Sequence, residues 1–141
     1  MTRPDTHDPM LSTRLEWRTE DRFEGTVGGA AVRLDGGDGE DASPMQVVAA
    51  GLAGCMAIDV RMILNRGRQP LEALTTTLEA RRADEPPRRF VEFKLHFIVR
   101  GYVAAQKLER AIELSVEKYC SVWHSLDHGA ELTTSYEIAT D

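Results

Sequence analysis

The sequence predicts an α+β domain with the element order βββα–ββαβ and a buried central helix, and three observations carry that prediction. Apolar and polar residues alternate in two separate stretches, residues 12–35 and 71–99, with the two-residue period of half-buried strands. Between them, Ser43-Pro44-Met45-Gln46 opens a long apolar run with the start signal of a helix. After Gly101 the period lengthens to that of an amphipathic helix, and a short alternating stretch closes the chain.

Length and charge narrow the function classes. At 141 residues the chain reads as one domain, 12–141, behind a polar tail at 1–11 whose two prolines predict mobility. A hydrophobic share of 42% and a charged share of 28% are those of an ordinary globular protein. The net charge of −6 argues against nucleic acid, whose phosphates call for clustered Lys and Arg. Here the basic residues are scattered, and the doublets Arg81-Arg82 and Arg88-Arg89 read as solvated ends of a hairpin. The first ten residues lack the apolar core of a secretory signal, and the run Val47 to Ile58 is too short to span a bilayer. The expectation is a cytoplasmic protein without a membrane partner, in a compartment where a permanent disulfide is disfavoured.

Taken in order, Thr13, Leu15 and Trp17, then Phe23, Gly25 and Val27, then Ala30, Val32 and Leu34 mark three strands, with turns at Glu20-Asp21 and Gly28-Gly29. The acidic stretch Asp35 to Asp41 is a flexible loop; it lacks the P-loop lysine and the EF-hand spacing. Ser43 as N-cap, Pro44 at the first helical position and Gln46 three residues after the serine predict a helix to about Asn65. From Met45 to Ile58 only Gln46 is strongly polar, so this helix is expected to be buried on most sides. Leu74, Thr76, Leu78 and Ala80 make a strand, Asp84-Glu85-Pro86-Pro87 a turn, and Val91, Phe93, Leu95, Phe97 and Val99 the strongest strand signal in the chain. A second helix is expected from Ala104 to about Leu126, with Leu108, Ile112, Val116 and Cys120 on one stripe, broken at Asp127-His128-Gly129. Leu132, Thr134, Tyr136 and Ile138 form the last strand.

Cys55 and Cys120 thus fall on the apolar stripes of the two helices. Residue pattern leaves three roles open for them: packing as small hydrophobes, ligating a metal, or forming a transient redox pair. Metal ligation is disfavoured because no C-x-x-C pair exists, and His124, one turn after Cys120, is the nearest companion of suitable type.

The stretch from Ser43 to Cys55 (SPMQVVAAGLAGC), followed by Met56-Ala57-Ile58-Asp59-Val60, resembles the SPxELLxALGxCxxxDV signature of the OsmC/Ohr superfamily. Residues 109–115 and 117–122 are similar to the second-cysteine block of its YhfA-like branch, and the resemblance spans residues 15 to 138. It implies the OsmC-like fold and an intertwined homodimer with active sites at the subunit interface. It also implies a peroxidase in oxidative-stress defence that needs no cofactor and no metal. In that chemistry Cys55 attacks a hydroperoxide as thiolate, and Cys120 resolves the resulting sulfenic acid as a disulfide. A dithiol reductant then restores the pair.

In the better-known branches a glutamate ten positions before the first cysteine pairs with an activating arginine; that position is Met45 here, and Gln46 stands where the YhfA-like branch commonly has glutamate. In mid-helix Cys55 gains little from the helix N-terminus, so a cation is expected from elsewhere, with Arg22, Arg33 and Arg82 as nominees. Asp59, one turn after Cys55, opposes thiolate formation and is expected to face a partner such as an arginine. Two other classes fit the same dimer: a non-enzymatic protein holding an apolar ligand at the interface, and a redox sensor. Covering the apolar helix calls for a dimer interface above roughly 2,000 Å².

Overall fold

The computed structural model describes residues 10–37, 39–126 and 129–140. The tail expected at 1–11 therefore lies outside the described residues except for exposed Met10 and Leu11. Two compact units, Met1–Val48 and Ala49–Asp141, make up the stretch read as one domain from the sequence.

In the first unit β1 (Thr13–Thr19), β2 (Arg22–Val27) and β3 (Ala30–Asp35) form an antiparallel meander in the order β1-β2-β3. Pairing sets Trp17 opposite Phe23, and Phe23 opposite Leu34, so the apolar residues share one face. That face is open in the single chain: Trp17 is 64% exposed, and Leu15, Phe23 and Val27 are also exposed. The acidic loop after β3 is held by Asp35, whose buried carboxylate accepts from Gly37 N–H at 2.8 Å and from Arg22 Nε at 3.2 Å. Asp38, in the same loop, lies outside the described residues.

The helix α1 (Pro44–Arg66) leads into the second unit, where β4 (Leu71–Arg82), β5 (Phe90–Gly101) and β6 (Glu131–Ala139) form a sheet in the order β4-β5-β6. β5 pairs antiparallel with β4 and parallel with β6, so the strand with the strictest alternation is the central one. Its Phe93, Leu95, Phe97 and Val99 are buried in one core with Leu52, Met56, Val60 and Leu64, which recur every fourth residue on α1. Gly101 ends β5 at φ +129°, where a Cβ would lie 2.3 Å from the Pro70 carbonyl oxygen, so only glycine fits.

The helix expected to be buried on most sides, with a second subunit as part of its cover, buries one stripe in the single chain; Ile58 is 60% exposed, and Val47 and Met62 are exposed too. Two expectations need correction. At 23 residues α1 also has the length and apolar composition of a membrane span, which the run Val47 to Ile58 alone did not reveal. The second helix is not continuous either. It comprises α2 (Ala105–Leu114), a π-helical turn at Ser115–Tyr119, an extended Cys120 and a short α3 (Ser121–Ser125). Asp127 and His128, where the break was expected, lie outside the described residues.

Met56, fully buried at the centre of the α1 stripe, tests this packing. Met56→Ala should lower the unfolding free energy by about 2–5 kcal/mol through lost burial and the cavity left behind. Urea denaturation with an unchanged m-value checks this, and a loss under about 1 kcal/mol contradicts the packing.

Candidate active site

The site begins with the helix start that orients α1. Ser43 N–H donates to Gln46 Oε1 at 2.9 Å, and Gln46 N–H donates to Ser43 Oγ at 3.2 Å, a reciprocal capping box. Gln46, nominated to meet an arginine, thus spends its side-chain oxygen on the cap. Further along α1, Cys55 and Asp59 stand four residues apart and so share one face, one turn from each other. Each directly precedes a buried stripe residue, Met56 or Val60, which holds it half-buried at the edge of the core.

The π-helical turn supplies the other side of the site. One extra residue per turn is what separates it from an α-helix; Cys120 N–H accordingly donates to the carbonyl of Ser115 at 2.8 Å. Cys120 then takes φ −72°, ψ 100°, leaving the helical conformation. Its sulfur accepts the Trp123 N–H at 3.4 Å and caps α3. Trp123 in turn packs edge-on against Phe93 of β5, ring centroids 6.1 Å apart. Cys120, expected on a helical stripe, sits instead at a helix break, fully buried.

This brings the two cysteines together. The sulfurs of Cys55 and Cys120 and a carboxylate oxygen of Asp59 all lie within 4.8 Å of one another, and both thiols are free. Asp59 was expected to face a partner such as an arginine; the partner is instead Ser115, fully buried, whose hydroxyl donates to Asp59 Oδ2 at 2.8 Å. Ser115 was not singled out from the sequence. The signal was a serine three residues after Ile112, inside the phase of an apolar stripe.

Electrostatically the cluster favours a neutral Cys120 thiol. Burial pushes the Cys120 thiol up to about 11, and the Cys55 thiol and the Asp59 carboxylate act in the same direction, against the Trp123 N–H. Among the described residues, none of the nominated arginines is recorded in contact with Cys55. Arg22 is paired with Asp35, Arg82 Nε donates to the Arg88 carbonyl at 2.8 Å and so closes the β4–β5 turn, and Arg33 is exposed on β3 opposite Glu24. A groove of about 630 Å³ is lined by Glu109, Glu113, Glu117, Ile112, Val116 and Tyr136 among others, and by neither cysteine.

A proton held this firmly gives a measurable reactivity. At pH 7 the Cys120 thiol in the native, reduced chain should carry about a hundredfold less thiolate than an ordinary cysteine and alkylate correspondingly slowly. Because the folded chain binds this proton more tightly, the thiolate fraction and the rate should still be climbing near pH 10. Mass spectrometry of alkylated peptides across pH checks this; a plateau below about pH 9 contradicts it.

Comparison with known proteins gives one family. The OsmC-like protein family matches residues 37–135, which include both cysteines. Protein YhfA of Escherichia coli (strain K12) is 39% identical over 131 residues, covering 91% of this chain and 98% of YhfA. A hypothetical protein from Aquifex aeolicus VF5 superposes with a TM-score of 0.86 at 25% identity, over 94% of this chain and 98% of that one. A Legionella pneumophila protein described as an organic hydroperoxide resistance protein OsmC superposes at 0.68 and 21% identity, over 89% and 96% of the two chains. The match across the helix start, Cys55 and Cys120 bears out the resemblance drawn from the sequence, and this chain belongs to the OsmC-like protein family.

Proposed function

We propose that the chain is a cysteine-based peroxidase that reduces organic hydroperoxides. The observation that carries this reading is the placement of two free sulfurs, distant in sequence, within 4.8 Å of each other. Half-buried Cys55 is the sulfur a hydroperoxide reaches; fully buried Cys120, its proton firmly held, waits behind it. The Cys55 sulfur attacks the outer peroxide oxygen, the O–O bond breaks, an alcohol leaves and Cys55 becomes a sulfenic acid. Cys120 then attacks that sulfur; the S–S bond forms, the S–O bond breaks and water leaves. A disulfide needs its sulfurs about 2.05 Å apart, so closure requires side-chain movement, which the break at Cys120 permits.

The family and the description of the Legionella neighbour support the substrate class. The recycling step places the protein in a reducing compartment, the cytosol, with a dithiol as reductant. The reading includes a homodimer. The exposed apolar face of the first sheet and exposed Val47, Ile58 and Met62 on α1 are the surfaces a second copy would cover.

The experiment compares wild type, Cys55→Ser and Cys120→Ser in dithiothreitol-dependent reduction of an organic hydroperoxide. Wild type should turn over, and Cys55→Ser should lose turnover entirely. Cys120→Ser should undergo the first oxidation and then accumulate sulfinic acid on Cys55. Equal over-oxidation of wild type and Cys120→Ser would reduce Cys120 to core packing.

A further inference from the structure

The three groups that meet in the site form a metal-binding donor set as well as a thiol pair. Cys55 and Asp59 have the i, i+4 spacing by which a single helix presents two ligands to one ion, as the histidines of H-E-x-x-H do. Cys120 approaches them from the π-helical turn, and the two sulfurs and the carboxylate oxygen lie within 4.8 Å of one another. Zinc with bonds of about 2.3 Å to sulfur and tetrahedral angles holds two sulfurs roughly 3.8 Å apart, a distance the side chains reach by small torsional changes. The carboxylate already has the outer support that ligating carboxylates carry: the buried Ser115 hydroxyl donates to Asp59 Oδ2 at 2.8 Å and fixes its orientation. It is also the only group of three such donors this close together among the described residues.

We propose that Cys55, Asp59 and Cys120 of the reduced chain bind one zinc ion, which oxidation of the two thiols releases. Deprotonated, the trio carries three negative charges, which a divalent cation offsets. On binding, each thiol gives its proton to solvent, two Zn–S bonds and one Zn–O bond form, and water takes the fourth position. On oxidation a hydroperoxide accepts two electrons from the sulfurs. Its O–O bond breaks, the S–S bond forms, two protons from solvent complete an alcohol and water, and zinc departs. Until it leaves, the bound ion makes the sulfurs poorer nucleophiles toward peroxide, so metal loading slows their oxidation. This inference concerns the residues of the proposed peroxidase but does not need that activity, because diamide also oxidises a dithiol to the disulfide.

The test titrates the reduced, metal-free full chain with zinc against a chromophoric chelator, and with cobalt as a spectroscopic probe. The expected results are one zinc per chain and a tetrahedral cobalt spectrum with thiolate-to-metal charge transfer. Asp59→Asn keeps the acceptor for Ser115 and removes the charge, and should weaken binding at least about tenfold; Ser115→Ala should weaken it about tenfold. Diamide should release the ion. Affinity in Asp59→Asn within about twofold of wild type would overturn the site, as would wild-type binding no tighter than in Cys55→Ser. Zinc binding by a chain whose metal-free thiols are inert to hydroperoxide would leave this site standing and remove the peroxidase reading; peroxide turnover without zinc binding would do the reverse.

Discussion

The site depends on the rotation of α1 about its own axis, and burial fixes that rotation. Leu52, Met56, Val60 and Leu64 form one stripe, each at most 1% exposed, against Phe93, Leu95, Phe97 and Val99 of β5. Fully burying side chains of this size contributes roughly 1.5–3 kcal/mol each, so turning the helix by even one residue position would cost several kcal/mol. Cys55 and Asp59 stand one position before Met56 and Val60. Their place at the margin of the core therefore follows from hydrophobic packing, without any interaction of their own.

The second half of the site departs from that regularity. Ser115, still in phase with the α2 stripe, faces the interior as a buried hydroxyl; the wide turn that begins there breaks the stripe and ends in an extended Cys120. A buried hydroxyl without a partner costs about 1–3 kcal/mol, and Asp59 supplies the partner. The hydrogen bond joins the break in one helix to the face of the other. A π-helical turn of this kind is common where a chain gives up regular packing to aim functional groups.

Much of this was legible in the sequence. The capping box at Ser43 and Gln46, the alternation of β5 and the two cysteine-bearing segments led to the observed element order and to two cysteines whose sulfurs lie within 4.8 Å of each other. The break at Cys120 was not legible, because Leu108, Ile112, Val116 and Cys120 keep a helical period that conceals one inserted residue, and no glycine or proline marks the place. Asp59 was recognised as an obstacle to the thiolate, but its partner was misjudged: a serine in an apolar phase reads as a tolerated polar residue until the fold brings it 2.8 Å from a carboxylate. On α1 the single chain covers one stripe only, so the remaining apolar surface is not accounted for within one chain.

The most direct measurement on the central claim, that the fold brings Cys55 and Cys120 together as one reacting pair, is the mass of the intact native chain after one equivalent of an organic hydroperoxide, followed by peptide mapping. The account predicts the loss of two hydrogens, no retained oxygen, and a single cross-linked peptide joining Cys55 to Cys120 within one chain. An unchanged mass, a retained oxygen on Cys55 with Cys120 still free, or a cross-link between chains would contradict it.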